Sequence, residues 1–179
     1  MNEHQIILLV DDSENDRALM RVAFKKAQCT IPLQEVSSGE DAIAYLKGES
    51  PYDDRKKFPL PIVMLLDLNM PKKNGFDVLA WVRVQPMLKR LAVIILTASM
   101  RNEDVERAFD LGATSFLVKS ISLEELASMM RCLDDWIHIN HFPPLTETGK
   151  NERSENSEAS LSCQLRPPTR GSKSNVPLT

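Results

Sequence analysis

One stretch decides the fold of this chain: LLDLNMPKKNGFDVL, residues 65–79. It begins inside the apolar run Ile62–Leu66, which is short and uninterrupted, as is typical of a parallel strand buried on both faces. Asp67 ends that run and a polar turn follows. Asn74 then precedes apolar residues at helical spacing, so it marks the start of a helix. These features predict a buried strand, a turn and a helix in direct succession.

The same alternation of strand and helix continues on both sides of this stretch. Ser122 and Glu125 fit a capping box at the start of the last and longest helical segment. Five strands alternating with five helices predict right-handed crossovers and an α/β doubly wound parallel sheet, covered by helices on both faces. The five predicted strands are Ile6–Val10, Leu33–Val36, Ile62–Leu66, Ala92–Leu96 and Phe116–Val118.

Composition excludes several classes of protein. The chain has 179 residues, enough for one domain of ordinary size and an additional segment. Its net charge of −3 does not provide the basic surface that usually selects nucleic acid. The apolar run nearest the N-terminus is too short for a signal peptide or a membrane span. Three widely spaced cysteines indicate reduced thiols. We therefore expect a cytoplasmic protein that binds neither nucleic acid nor membrane.

Two segments do not follow the alternating pattern. Gly48–Pro61 is polar and holds three prolines, which predicts a surface loop between the second helix and the third strand. Pro143–Thr179 contains five prolines and six serines, and it has too few large apolar residues to offset the entropy of ordering. We expect a folded domain over residues 1–142 and a disordered tail over residues 143–179, with no effector domain.

Acidic side chains follow two of the predicted strands. Asp11 and Asp12 come directly after the first strand, and Asp67 follows the third. Two unit charges ~4 Å apart repel by about 4 kcal/mol at an effective dielectric near 20, so such a group requires a cation or raised pKa values. Oxygen ligands without a nearby Cys or His suit Mg²⁺. Taken singly, each aspartate is often only a turn former or a helix cap; their joint position favours a magnesium site.

Two further polar residues end the fourth and fifth strands. These are Thr97 and Lys119, and each by itself is more often an ordinary strand-end or surface residue. In a doubly wound sheet, however, both strand ends open onto the crevice where ligands bind. A hydroxyl and an ammonium there would contact oxygens of a phosphoryl group carried by Asp67. The pattern therefore indicates nucleophilic attack by the Asp67 carboxylate on phosphorus, giving an acyl phosphate.

Four motifs are distributed along the chain between Ile6 and about Ile139: LLVDD at 8–12, LLDLNMPKKNGFDVL at 65–79, ILTAS at 95–99 and LGATSFLVK at 111–119. Together they resemble the receiver domain of two-component signalling. The resemblance implies a flavodoxin-like fold with five strands in the order 2-1-3-4-5, and a sensor histidine kinase as the partner that supplies the phosphoryl group.

The resemblance also implies a role for each matching acidic or amide residue. Asp67 resembles the phosphoacceptor. Asp11 and Asp12 resemble the acidic pair that binds the metal together with Asp67. Asn69 matches the position that offers its backbone carbonyl to that metal, which would be Mg²⁺.

Three residues at the last two strands resemble those with which the family responds to phosphorylation, its conformational switch. Thr97 resembles the switch hydroxyl, Lys119 the lysine of the site, and Phe116 the aromatic side chain that moves inward when Thr97 moves. Phe116 is otherwise an ordinary core residue of an edge strand. The family usually has proline after the lysine, often with a cis peptide bond, but this chain has Ser120. A cis bond before a non-proline residue costs about 3–4 kcal/mol. Either the Lys119–Ser120 bond is trans and Lys119 lies slightly differently, or strain is stored there.

The long loop and the C-terminal extension resemble those of one subgroup of the family. The loop at 48–61 and the extension Trp136–Phe142 are similar to those of stand-alone regulators partnered with bacterial phytochromes and related sensor kinases. Aromatic residues are enriched in interfaces, so Trp136 and Phe142 are candidates for a homodimer or kinase-docking surface. The resemblance implies that such a surface lies on the face of helix four, strand five and helix five, through which the family commonly pairs when phosphorylated. In the alternative, both aromatics fold back onto the core beneath the loop.

Three other functions compete with this interpretation. A haloacid-dehalogenase-type phosphatase would have a second aspartate two residues after the nucleophile, where this chain has Asn69. A flavodoxin-like FMN carrier would have a small-residue phosphate loop after the first strand, but the acidic segment at 12–16 would repel phosphate. A pseudo-receiver would keep the fold and never accept phosphate. Phosphorylation by a small phosphodonor distinguishes that last alternative.

Overall fold

Within the described residues, the fold consists of ten alternating strands and helices. A computed structural model describes residues 5–143 and residue 145. The strands form one parallel sheet in the order β2-β1-β3-β4-β5, which confirms the predicted flavodoxin-like doubly wound α/β fold. The elements are β1 (Ile7–Val10), α1 (Glu14–Ala27), β2 (Leu33–Val36), α2 (Gly39–Lys47), β3 (Val63–Leu66), α3 (Gly75–Val84), β4 (Ala92–Thr97), α4 (Asn102–Asp110), β5 (Ser115–Val118) and α5 (Leu123–Ile139).

The sheet separates two apolar clusters. On one face, α2, α3 and α4 cover the sheet, and on the other face α1 and α5 cover it. The three central strands are buried throughout, because successive side chains enter opposite clusters. The predicted apolar stripe of α5 is confirmed, since four of its five residues are buried. They are Leu126, Met130, Leu133 and Ile137.

Polar caps fix where the helices begin, and therefore where the loops at the carboxyl edge of the sheet end. Asn74 and Asp77 form a reciprocal capping box on α3. The box predicted for α5 is only half formed: the Glu125 amide donates to the Ser122 hydroxyl at 3.4 Å, but the Glu125 carboxylate accepts from Ser120 instead. The competing hydroxyl two residues before the cap explains the difference.

The loop at 48–61 is anchored more firmly than its polar composition predicts. Arg55 donates to the carbonyls of Tyr45 at 2.7 Å and Leu46 at 2.8 Å, so it satisfies carbonyl groups at the end of α2. Tyr52 and Phe58 pack on the Tyr45 ring with centroid separations of 5.2 and 5.9 Å. The loop therefore extends the cluster on the α2–α4 face of the sheet.

The segment after α5 also packs on the domain. Trp136 and Phe142 stack edge to face at 5.4 Å and lie, partly buried, against the α1–α5 cluster. They fold back on the core, as the alternative interpretation had it, but on the sheet face opposite the 48–61 loop. Leu145 lies against the α2–α4 cluster. Apart from Pro143 and Leu145, the predicted disordered tail at 143–179 lies outside the described residues. None of the helices within the described ranges is both long enough and apolar enough to span a bilayer.

Candidate functional site

Three carboxylates converge where β1 and β3 end. One carboxylate oxygen each from Asp11, Asp12 and Asp67 lies within 4.8 Å of the other two. Asp11 is fully buried, Asp67 is 6% exposed, and Asp12 is open to solvent. The parallel pairing of β1 with β3 places the two strand ends at the same edge of the sheet and produces this arrangement. These oxygen donors, with one member facing solvent, fit a hard divalent cation such as Mg²⁺, which retains several of its waters.

The lysine at the end of β5 reaches across the sheet edge to this group. Lys119 Nζ lies 2.6 Å from Asp11 Oδ2 and 3.1 Å from Asp67 Oδ2. Burial lowers the pKa of Lys119, but hydrogen bonds with Asp11 and Asp16 and the nearby Asp67 charge outweigh it, so the pKa is raised. Ser50–Pro51 is the only cis peptide bond among the described residues, so the Lys119–Ser120 bond is trans. With serine in place of proline, the lysine still contacts both aspartates.

Burial also changes the pKa of Asp11. Desolvation raises it, and the hydrogen bond and charge of Lys119 oppose that rise without cancelling it. Asp11 Oδ1 accepts a hydrogen bond of 2.9 Å from the Ser13 amide, and Oδ2 is paired with Lys119. Each oxygen therefore has a hydrogen-bond partner, and this accounts for a buried carboxylate at this position.

Thr97 and Asn69 meet on the other side of Asp67. Thr97 ends β4 and is fully buried. Its hydroxyl oxygen accepts hydrogen bonds of 3.3 Å from the Asn69 side-chain amide and from the Ser99 backbone amide. The Asn69 backbone amide lies 3.4 Å from Asp67 Oδ1. The residues predicted from strands three and four are thus brought together beside the carboxylates.

Phe116 lies on the neighbouring strand, below Thr97. It pairs with Ile95 in the β4–β5 register, whereas Thr97 pairs with Val118. The Phe116 side chain is partly buried against the α2–α4 cluster. It is therefore an edge-strand residue that contacts the core, and its predicted movement with Thr97 remains a prediction.

The turn after Asp67 requires a glycine. The Gly75 amide donates to the Leu68 carbonyl at 3.1 Å, which draws the start of α3 back over the strand end. A Cβ atom at position 75 would collide with the Asp67 carbonyl oxygen. The glycine of the 65–79 stretch is thus explained by the close approach of two backbones beside the carboxylates, whereas Asn74 before it is explained by the cap of α3.

A fourth carboxylate at this edge was not assigned from the sequence. Asp16, in the first turn of α1, lies 2.9 Å from Lys119 Nζ through its Oδ2 atom. Its position in the first turn of the helix that directly follows the Asp11-Asp12 pair is the signal that could have identified it. The sequence alone gave no means of pairing it with a lysine 103 positions away.

A comparison with known proteins identifies this arrangement. Residues 7–131 match the profile of the response regulator receiver domain, which is more than two thirds of the chain. The chain belongs to the response-regulator receiver family. Receivers are the signalling components of two-component systems that sensor histidine kinases phosphorylate.

Phytochrome response regulators are among the proteins that this receiver is similar to. It is 34% identical over 143 residues to response regulator Rcp1 of Synechocystis sp., covering 79% of this chain and 95% of Rcp1. The phosphorylated cyanobacterial phytochrome response regulator RcpA superposes with a TM-score of 0.71 at 32% identity, covering 78% of this chain and 99% of RcpA. The predicted grouping with phytochrome-partnered regulators is confirmed.

A second solved relative bears on the metal. The Mn²⁺-bound form of Rcp1 superposes on this receiver with a TM-score of 0.67 at 34% identity, covering 77% of this chain and 98% of Rcp1. Receivers bind divalent metal, and the three converging carboxylates of this chain match that property.

Proposed function

We propose that Asp67 is the residue of this receiver that accepts the phosphoryl group from a phosphohistidine of a sensor kinase. One observation supports it above the others: a nearly buried carboxylate lies within 4.8 Å of two others and 3.1 Å from a lysine. This combination places a nucleophilic oxygen next to groups that neutralise charge on a phosphoryl group. Forming a turn would not require a lysine ammonium within hydrogen-bond distance of the Asp67 carboxylate.

The proposed reaction transfers phosphorus between two nucleophiles. A carboxylate oxygen of Asp67 attacks the phosphorus, the phosphorus–nitrogen bond of the phosphohistidine breaks, and the imidazole leaves with that electron pair. Lys119 keeps one N–H directed at Asp67, where it stabilises charge on a phosphoryl oxygen. We also propose that this chain promotes its own dephosphorylation: water attacks the same phosphorus, the bond to the Asp67 oxygen breaks, and inorganic phosphate leaves while the Asp67 carboxylate is restored.

We assign the metal role to Asp11, Asp12, Asp67 and the Asn69 backbone carbonyl, and we take Mg²⁺ as the ion. When bound, the ion would neutralise charge on the phosphoryl oxygens. Exposed Asp12 leaves one side of the site open to water, as magnesium requires.

The switch that follows phosphorylation is assigned to Thr97 and Phe116. In the structure the Thr97 hydroxyl oxygen accepts hydrogen bonds from Asn69 and Ser99. Its own O–H is free to donate to the phosphoryl group once Thr97 moves toward it. The phosphoryl group shifts the equilibrium only by its differential affinity for the two positions of Thr97. Phe116, on the adjacent strand, would move inward with it.

The acceptor assignment is tested by labelling with acetyl phosphate. Wild type with Mg²⁺ should gain one base-labile phosphate, detected by intact mass spectrometry, and Asp67→Asn should gain none. Chelation of Mg²⁺, or Asp12→Ala, should abolish labelling because the developing charge loses its counter-ion. Asp53→Asn, the same change in the exposed 48–61 loop, is the matched control. Equal labelling of wild type and Asp67→Asn would refute the acceptor, and no labelling of either would favour the pseudo-receiver.

The switch assignment has a separate test. Thr97→Ala should still be phosphorylated, but it should lose most of the phosphate-dependent change in partner binding or assembly. A Thr97→Ala variant that responds to phosphate like wild type would show that Thr97 is not the switch.

For the partner, we propose a phytochrome-type sensor kinase and a homodimer formed through the face of α4, β5 and α5. That face exposes Phe109, Val118 and Ile121, and a groove of about 330 Å³ between β5 and α5 is lined in part by Leu117 and Trp136. Sedimentation with and without beryllofluoride should show phosphate-dependent dimers that Trp136→Ala weakens. Monomers throughout, with Trp136→Ala melting several degrees earlier, would assign Trp136 to the core alone.

A further inference from the structure

The ammonium of Lys119 has as many hydrogen-bond acceptors as it has N–H bonds. Its three carboxylate neighbours are Asp11 at 2.6 Å, Asp16 at 2.9 Å and Asp67 at 3.1 Å. An ammonium group donates three hydrogen bonds, so each carboxylate receives one. The lysine side chain is only 12% exposed. The position of its charge is therefore set by these three partners.

Two of the three partners belong to one rigid segment. Ser13, the N-cap of α1, donates from its amide to Asp11 Oδ1 at 2.9 Å. The Ser13 hydroxyl accepts from the Asp16 amide at 3.2 Å, so the same residue also fixes the first turn that carries Asp16. Asp11 and Asp16 thus form a two-point holder for the ammonium, built on the start of α1.

Holding the ammonium at two points has a consequence for the third N–H bond. Lysine carries large rotamer entropy, and its ammonium makes non-directional contacts. With Asp11 alone, the ammonium would turn about a single contact. With Asp16 as well, the remaining N–H points to Asp67 before any phosphoryl group arrives. Such preorganisation removes an ordering cost from the reaction itself.

We infer that Asp16 is a positioning residue for phosphoryl transfer: together with Asp11 it holds Lys119 so that its remaining N–H faces the phosphoryl group on Asp67. Asp16 touches neither Asp67 nor the phosphoryl group in this role, and it acts through the lysine. The inference rests on the proposed function of Asp67.

The test compares two substitutions at the same position. Asp16→Ala removes the acceptor, whereas Asp16→Asn keeps a side-chain oxygen that accepts a hydrogen bond and removes only the charge. At saturating Mg²⁺, Asp16→Ala should lower the limiting rate constant for phosphorylation by acetyl phosphate about three- to tenfold, the size expected for one half-exposed charge-assisted hydrogen bond. The donor concentration at half-maximal rate should stay unchanged, and Asp16→Asn should recover most of the rate.

A matched control and a second variant separate positioning from helix stability. Asp41 occupies the same third position of α2, where its amide donates to the Ser38 cap, and it makes no contact with Lys119. Asp41→Ala should therefore leave the rate unchanged. Asp16→Ser, whose side chain is too short to reach the ammonium, should reproduce Asp16→Ala and serves if that variant does not fold.

A measurement without metal or phosphodonor tests the positioning directly. In the metal-free protein, NMR of the Lys119 ammonium should show a lower order parameter in Asp16→Ala than in wild type, and a nearly unchanged one in Asp16→Asn. The inference is overturned if all variants match wild type, if both alanine and asparagine variants react faster, or if Asp41→Ala is equally slow. If wild type itself takes no phosphate while Lys119 mobility changes as expected, the proposed acceptor fails and the holding of Lys119 stands.

Discussion

Replacing Asp67 by asparagine should make the metal-free domain more stable. The Asp67 side chain is 8% exposed, lies within 4.8 Å of Asp11 and Asp12 oxygens, and is 3.1 Å from Lys119 Nζ. Asparagine has nearly the same shape and removes the charge. The sign of the effect therefore depends on whether repulsion and burial outweigh the ion pair.

The magnitude follows from these distances. At an effective dielectric near 20, the attraction to Lys119 is worth ~5 kcal/mol and the repulsion from buried Asp11 ~3.5 kcal/mol. Exposed Asp12 is screened by solvent and adds only about 1 kcal/mol. The attraction and the two repulsions nearly cancel. The sign of the stability change is then decided by the desolvation cost of burying a charged carboxylate, several kcal/mol for an ion, which asparagine avoids. Lys119 keeps Asp11 and Asp16 as partners, so it is not left as an unpaired buried charge.

We therefore expect Asp67→Asn to raise the free energy of unfolding by about 1–2 kcal/mol, or the Tm by about 3–6 °C. Urea unfolding in EDTA, followed by circular dichroism, measures it, with Asp53→Asn as the control for an exposed aspartate. Adding MgCl₂ should stabilise wild type by mass action and Asp67→Asn less, so the difference should narrow. A variant less stable than wild type in EDTA would show that the pair with Lys119 dominates and would refute this reasoning.

Three further predictions concern residues away from the carboxylates. Lys72 has a φ of 62°, in the left-handed region that glycine adopts without steric cost, so Lys72→Gly should raise the free energy of unfolding by about 0.5–1 kcal/mol. Lys73→Gly next to it should lower the free energy of unfolding, and urea unfolding compares the two variants. Arg55→Ala should lower the free energy of unfolding by about 2 kcal/mol, because backbone carbonyls at the end of α2 lose their hydrogen-bond donor. Arg55→Lys should restore little of that loss, because lysine lacks the planar guanidinium that reaches both carbonyls. Thermal melts of the two variants measure both effects. Burial raises the pKa of the Cys29 thiol to about 11, so iodoacetamide at pH 8 should alkylate exposed Cys132 well before Cys29, because the thiolate is the nucleophile; peptide mass spectrometry showing equal rates would contradict this.

Much of the fold was determined by local pattern. Each predicted strand lies within a residue of its observed bounds, because continuous apolar runs and the caps that follow them depend only on neighbouring residues. The capping residues Asn74 and Ser122 were found for the same reason. The half-formed capping box on α5 shows the limit of local pattern, since Ser120 competes for the Glu125 carboxylate.

Part of the candidate site could likewise be predicted from local pattern in the sequence. Asp11, Asp12, Asp67, Thr97 and Lys119 could be named from the sequence because each ends a strand, and parallel strand ends share one edge of the sheet. The strand order 2-1-3-4-5, which the family resemblance implied, then brings the functional groups together.

Only the tertiary structure decided which partners the long, flexible side chains take. Lys119 lies between Asp11 and Asp16, 108 and 103 residues away, and Arg55 turns back to the end of α2. Periodicity gives the direction of a Cα–Cβ bond, but the end of a lysine or arginine lies several rotatable bonds further on. Its place is set by the carboxylates and carbonyls that the packed fold leaves within reach, and those are known only once the helices have docked on the sheet.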